Sequence, residues 1–308
     1  MSKRWIGNLL LLLGAMIWGA AFVAQSVGMD YLEPFTFQAA RCFLGSVVLL
    51  PVIAVVDKKG NALRPATAPA RRRQLGYGCL VGLILFAACS LQQCGLLYTV
   101  PGKSGFLTSL YIILVPILGL AFGRRVKPWI WISVLLALVG LYLLCGSTDF
   151  SLGAGEWLTL GCAVAFSFHI LLIDKISGRV DGVRLSAMQF FVCGCLSLLC
   201  AFLWETPQWE NILSCWVPIG YAGIFSCGVG YTFQIIGQRY TEPTVASLLM
   251  SLESVFSVLF GWLILRSTLT PTELVGCLLV FGGVVISQLP GKAPAPSPQQ
   301  SQEACPRC

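Results

Sequence analysis

The chain has 308 residues, 56% of them hydrophobic and only 11% charged, with a mean hydropathy of +0.81. A soluble protein draws about a quarter of its residues from Asp, Glu, Lys and Arg. The 20 basic and 13 acidic side chains present cannot cover a soluble surface of this size, so a large soluble domain is excluded. The net charge of +7 sits in short clusters between apolar runs. That distribution is a membrane-topology pattern rather than a nucleic-acid surface.

A helical crossing of the hydrocarbon layer needs about 20 apolar residues, and ten such runs follow one another. They are Trp5–Gln25, Phe35–Val56, Leu75–Cys94, Ser104–Phe122 and Trp129–Cys145, then Trp157–Ile173, Ala187–Trp204, Trp216–Ile236, Thr244–Leu265 and Leu274–Leu289. Lys3 and Arg4 ahead of the first run give it a signal-peptide flavour. The run is too long for an h-region and nine more follow, so it reads as a retained first helix. Short connections carry Pro34, Pro101, Pro128, Pro207, Pro243 and Pro271. Residues 291–308, rich in Pro, Ser and Gln, read as a disordered cytoplasmic tail. Most of the 14 cysteines fall inside apolar runs, where cysteine acts as a small hydrophobe. Cys305 and Cys308 have CxxC spacing without a second half-site, so no metal site is expected.

With the N-terminus inside, the internal segments hold 17 of the 20 basic residues. Only Lys103 and Arg266 fall outside, and Arg41 lies within the second run. The acids Asp30, Glu33, Asp149, Glu156, Glu205, Glu210 and Glu273 mark the outer loops. Both termini are therefore expected in the cytoplasm.

Sliding the chain by 142 residues superposes Gln92, Gly95, Tyr98, Thr99, Pro101, Leu107, Ser109, Leu110, Gly119 and Arg124 on identical residues. Their mates are Gln234, Gly237, Tyr240, Thr241, Pro243, Leu249, Ser251, Leu252, Gly261 and Arg266, ten identities in 33 positions without a gap. A weaker match at 147 pairs Leu13-Gly14 with Leu160-Gly161. The predicted architecture is an all-α polytopic membrane protein of ten transmembrane helices. Two five-helix repeats, residues 1–146 and 147–290, compose it. Five is odd, so the second repeat enters the membrane from the opposite side. Inverted repeats are a mark of secondary transporters, with the substrate site near the midplane where the repeats meet.

These residues also resemble a known family. Trp18-Gly19-Ala20-Ala21-Phe22 resembles the Trp-Gly-x-x-Phe opening of EamA-type members of the drug/metabolite transporter superfamily. Pro34-Phe35-Thr36-Phe37-Gln38-Ala39-Ala40-Arg41 resembles the start of their second span. Tyr240 to Leu248 and Glu253-Ser254-Val255-Phe256 resemble their ninth, and Gly276 to Gly283 their closing helix. The resemblance spans nearly the whole chain except the tail. It implies a ten-helix permease with a central cavity, moving amino acids, metabolites or drugs, commonly outward. Many members carry a Gly-Glu pair at the end of the fourth or ninth span. Here those places read Arg124-Arg125 and Arg266-Ser267, so no role of that glutamate carries over.

Ionisable groups inside a bilayer are costly, about 2.5–3.5 kcal/mol each on insertion scales, and three stand out. Arg41 lies about 9 Å below the outer end of its span at 1.5 Å per residue. Its stem can snorkel outward to Asp30 or Glu33; the alternative is a substrate or gating role. Glu253 lies about 14 Å from the inner end of the ninth span, near the midplane. It is a candidate proton carrier or partner for a substrate amine, set against a neutral or ion-paired structural acid. Its mate at offset 142 is Tyr111. His169, the single histidine, suits proton coupling, but a lone histidine on an apolar helix is more often a packing residue. Gln92 and Gln234, repeat mates, are expected near the central axis, among further amides at Gln25, Gln38, Gln93 and Gln189. Trp18, with Tyr98, Tyr231 and Phe256, is a candidate for the cavity wall.

No nucleotide-binding motif occurs, so no cofactor is expected, and the protein is expected either to draw on an ion or solute gradient or simply to equilibrate its substrate. The expected partners are a small-molecule solute, the lipid bilayer and protons, not nucleic acid. The location read from this is a bacterial inner membrane. Two other classes compete. A non-transporting sensor or scaffold needs no saturable counterflow. An intramembrane lipid-modifying enzyme needs a paired-acid, His–acid or Ser–Lys set that the spans do not offer.

Overall fold

The computed structural model describes residues 3–61, 63–99, 101–123, 126–144, 153–266 and 270–289. The tail from 291 to 308 and Arg124, Arg125 and Ser267 lie outside the described residues. Every regular element among them is helical: α1 (Lys3–Gly28), α2 (Pro34–Lys58), α3 (Ala68–Leu96), α4 (Pro101–Ser109), α5 (Tyr111–Ala121), α6 (Pro128–Leu144) and α7 (Ala154–Ile176). Then follow α8 (Gly182–Trp204), α9 (Trp209–Ser214), α10 (Trp216–Gly220), a π-helical segment Tyr221–Gly230, α11 (Tyr231–Gln238), α12 (Pro243–Met250), α13 (Leu252–Leu265) and α14 (Pro271–Gln288). Among the described residues nine helical stretches are long and apolar enough to cross a membrane, and α6 is a tenth, shorter apolar helix.

Local chemistry sets the ends. Proline is the first residue of α2, α4, α6, α12 and α14, where its missing N–H leaves no bond unmade and its fixed φ suits the first turn. Thr67 caps α3 by accepting from Ala70 N, and Asp181 caps α8 by accepting from Val183 N and Arg184 N. Thr270 and Glu273 form a reciprocal capping box on α14. Helices also outrun the apolar runs: α3 begins seven residues before Leu75 and takes in Arg71, Arg72 and Arg73. The helix therefore continues past the apolar run through a charged turn.

The connections segregate to two ends of the bundle. At the basic end Arg184 reaches Asp57 and Asp181, Asn61 donates to Asp181, and Arg239 donates to the carbonyls of Ser177 and Val180. At the acidic end Glu205 accepts from Phe35 N and Thr36 N at 2.7 Å each, holding the start of α2. Glu33 accepts from Thr206 N there.

The two repeats pack through contacts that occur twice. Gly95 on α3 sits against Gly155 on α7, and Gly237 on α11 sits against Gly7 on α1. A Cβ at any of the four would fall 2.9–3.1 Å from the partner's carbonyl oxygen. Gly237 is Gly95 shifted by 142, and Gly155 is Gly7 shifted by 148, so this is one contact made at both ends. The same holds for Thr99, which donates to Glu156 at 2.8 Å, and Thr241, which donates to Asn8 at 3.0 Å. The repeated Tyr-Thr-x-Pro motif therefore ties each repeat to the first helix of the other. Repeat mates α2 and α8 pack together, as do α6 and α14.

Three crossings are interrupted. The fourth breaks at Leu110, between α4 and α5, and the ninth at Ser251, between α12 and α13. These positions agree to within one residue under the 142 shift. Ser251 turns its hydroxyl back to Leu248 O and Ser247 to Thr244 O, a bonding mode that bends helices. The eighth crossing widens into the π segment, a rare geometry that concentrates at functional sites. Its mate α3 stays α-helical throughout.

Candidate functional site

A partly open cavity with room of about 60 Å³ for water-sized molecules lies between the repeats. Every crossing except the fifth and tenth contributes to its wall. Six of the seven residues singled out from the sequence line it: Trp18, Arg41, Gln92, Tyr111, Gln234 and Glu253.

At its centre, Tyr111 donates its hydroxyl to Glu253 Oε1 at 3.0 Å. The two are repeat mates, so the bond lies on the pseudo-twofold axis. Two residues before Tyr111 and one after Glu253, Ser109 and Ser254 share a 3.0 Å hydrogen bond. Both pairs bridge the breaks in the fourth and ninth crossings: Tyr111 is the first residue of α5 and Glu253 the second of α13. A carboxylate in a helix's first turn interacts favourably with its macrodipole.

Arg41 forms a second pole. It is 5% exposed and does not snorkel to Asp30 or Glu33. Its Nη1 donates to Gln25 Oε1 at 2.6 Å, and the Gln25 amide is oriented by donating its Nε2 to Ala21 O. The guanidinium lies 5.7 Å from the Phe37 ring centroid, and the thiols of Cys42, Cys89 and Cys227 surround it. Glu33, the outer acid of the snorkelling reading, is engaged with Thr206 N instead.

Between the poles stands Tyr231, within electrostatic reach of both Arg41 and Glu253. Its ring meets Trp18 edge-on at 4.9 Å and Phe190 at 5.1 Å. Gln92 donates to Thr108 at 3.3 Å, while Gln234 Oε1 has no hydrogen-bond partner among the described residues.

His169 stands behind this wall rather than in it. It is fully buried, its Nε2 lies 3.0 Å from Gln189 Oε1, and its ring packs against Tyr231. Gln38 likewise knits helices, donating to Ser90 and Ser197. Tyr98, 67% exposed, lies away from the cavity, and Phe256 packs on Gly19. Sequence reasoning did not single out Phe22, Phe166, Phe190, Thr108 or the three cavity thiols. Phe22 was carried by the Trp-Gly-x-x-Phe resemblance rather than as a site residue, and its spacing from Trp18 and Gln25 along one face of α1 also pointed to the cavity.

Nine membrane-length helices and a shorter tenth among the described residues, in two repeats around a polar cavity, are the fold of a membrane transporter. The model of the EamA-like transporter family matches residues 5–146 and 153–289, and the chain belongs to that family. It is 31% identical over 288 residues to an uncharacterised transporter of Archaeoglobus fulgidus, covering 93% of this chain and 87% of the relative. It is 24% identical over 294 residues to an S-adenosylmethionine/S-adenosylhomocysteine transporter of Chlamydia trachomatis serovar L2, covering 88% of each. A protein solved by crystallography shares its fold, with a TM-score of 0.75 at 22% identity over 92% of this chain and 96% of the other.

Proposed function

We propose that the chain exports small zwitterionic or weakly basic metabolites, such as amino acids, or amphipathic drugs, by alternating access coupled to protons. It works from a bacterial inner membrane with both termini and the basic end in the cytoplasm. The observation that carries this reading is the bond between Glu253 and its repeat mate Tyr111 on the cavity wall. It joins the one acid in the cavity to the place where the two repeats meet.

Glu253 carries the coupling. A proton on the carboxylate, or an ammonium group bound to it, competes with the Tyr111 hydroxyl for the same lone pairs. Loss of that bond frees α5 and α13 to pivot at Leu110 and Ser251. Arg41 holds the acidic end of the solute, its planar fork suiting a carboxylate. Trp18, Tyr231 and Phe190 cover the apolar middle. The Chlamydia relative, named for S-adenosylmethionine and S-adenosylhomocysteine, supports a solute of amino-acid type.

The test is a ligand screen followed by counterflow. Purified protein is heated with amino acids, nucleosides, sugars and cationic drugs, since a specific ligand stabilises the state it binds. Stabilising compounds are then assayed for saturable counterflow in proteoliposomes. Stabilisation by amino-acid-type or weakly basic compounds, with counterflow, is expected. Binding without counterflow would leave a sensor or scaffold and end the transport reading.

A further inference from the structure

We infer that the basic end carries a binding site for the headgroup of an anionic phospholipid, in the niche between the α2–α3 connection and the start of α8. Arg64, Arg71 and Arg184 converge on one cavity there, with Pro65 as its floor. Arg64 is 60% exposed, and Arg71, Arg72 and Arg73 are all exposed on the first turns of α3. Lys58 and Lys59 flank them at the end of α2.

The charge there is unbalanced. Arg184 is held by Asp57 and Asp181, and Arg64 leans on the same Asp57 at 3.4 Å. Two carboxylates thus face seven basic side chains. Arg71 spends its Nε on Pro65 O, which turns the rest of its fork towards the cavity shared with Arg64. A phosphodiester matches these planar donors in charge and geometry.

The surroundings select a lipid as the source of that phosphate. Val52 and Val55 on α2 and Leu75, Leu80 and Leu83 on α3 are exposed, and they run from the arginines into the spanning part of both helices. A headgroup in the niche leaves its acyl chains on these side chains. Basic pockets between helices at a membrane face take anionic headgroups in this way. The inference is independent of the transported solute.

The full chain, delipidated in detergent, is titrated with phosphatidylglycerol or phosphatidylcholine, and bound lipid is counted by native mass spectrometry. Phosphatidylglycerol is expected to be retained preferentially, with a preference that falls as salt rises. Arg64→Gln with Arg71→Gln should weaken its retention about 30-fold, while Arg4→Gln with Lys175→Gln, equal in charge, should leave it unchanged. Thermal unfolding without lipid checks that the variants fold; if the double variant does not, the salt dependence and lipid preference of the native chain decide. Equal retention of both lipids, equal loss in both double variants, or full displacement by equimolar sn-glycerol 3-phosphate would overturn the inference.

Discussion

At the scale of single residues, Glu253 and Arg41 are alike in cost and differ in how the chain meets that cost. Glu253 has one hydroxyl donor, Tyr111, and faces a cavity; Arg41 has an amide, an aromatic face and a ring of thiols. Tyr111→Phe removes a bond to an ionisable group, worth about 1.5–3 kcal/mol if the acid is charged. It should lower thermal stability in wild type but have little effect in Glu253→Met, which has no oxygen to accept the hydroxyl, and additive losses would show that the pair is not coupled. Arg41→Lys keeps the charge and loses the fork, so the half-saturating solute concentration should rise about tenfold with little change in maximal rate. His169→Asn should lower the unfolding temperature and leave the pH profile of transport unmoved, because the imidazole faces Gln189 and not the cavity. A shifted profile would make His169 part of the coupling. The sequence placed Glu253 and Tyr111 at one depth through the 142 offset. Their contact was not legible, since an offset relates positions and does not say that the symmetry axis runs through them. Arg41 misled because Asp30 and Glu33 are near in sequence, whereas Gln25, across the bundle on α1, is near in space.

At the scale of elements, proline and hydropathy located nearly every helix start, because both act within a turn of the chain. The breaks at Leu110 and Ser251 and the π segment in the eighth crossing were not visible. The π segment is shaped by packing: Gly45 meets Cys227 and Gly223 meets Leu44 so closely that the segment follows α2 rather than its own propensity. The cavity thiols were read as small hydrophobes for the same reason, since composition does not say which face of a helix a cysteine takes. The repeated contacts give a sharp expectation. Thr99→Val removes a bond to a carboxylate, about 1.5–3 kcal/mol, and Thr241→Val the corresponding bond to an amide, about 1 kcal/mol, at opposite ends of the bundle. Their effects on thermal unfolding should be additive, with Thr99→Val the larger. Gly237→Ala and Gly95→Ala press a Cβ into the facing helix and should each cost about 1–3 kcal/mol. Negligible losses in either pair would mean that the twofold is not carried by these contacts.

For the whole molecule, the halves of the sequence are not obvious mechanical units. Each repeat is bonded more closely to helices of the other than a pair of separate bodies would be: α3 to α7, α1 to α11, α2 to α8, α6 to α14. The proposed alternating access would then be an exchange between two arrangements of these cross-repeat pairs about the Tyr111–Glu253 axis. A green fluorescent protein fused after Cys308 should fluoresce and alkaline phosphatase fused there should be inactive, as the clustering of basic residues requires; the reverse would invert the assigned orientation. The central claim is that Glu253 couples protons to solute movement. It is tested most directly by solute flux in proteoliposomes under an imposed pH gradient, comparing wild type with Glu253→Gln. The account predicts gradient-driven accumulation in wild type and its loss in the variant, with downhill exchange retained. Accumulation by the variant that still follows the pH gradient would contradict it.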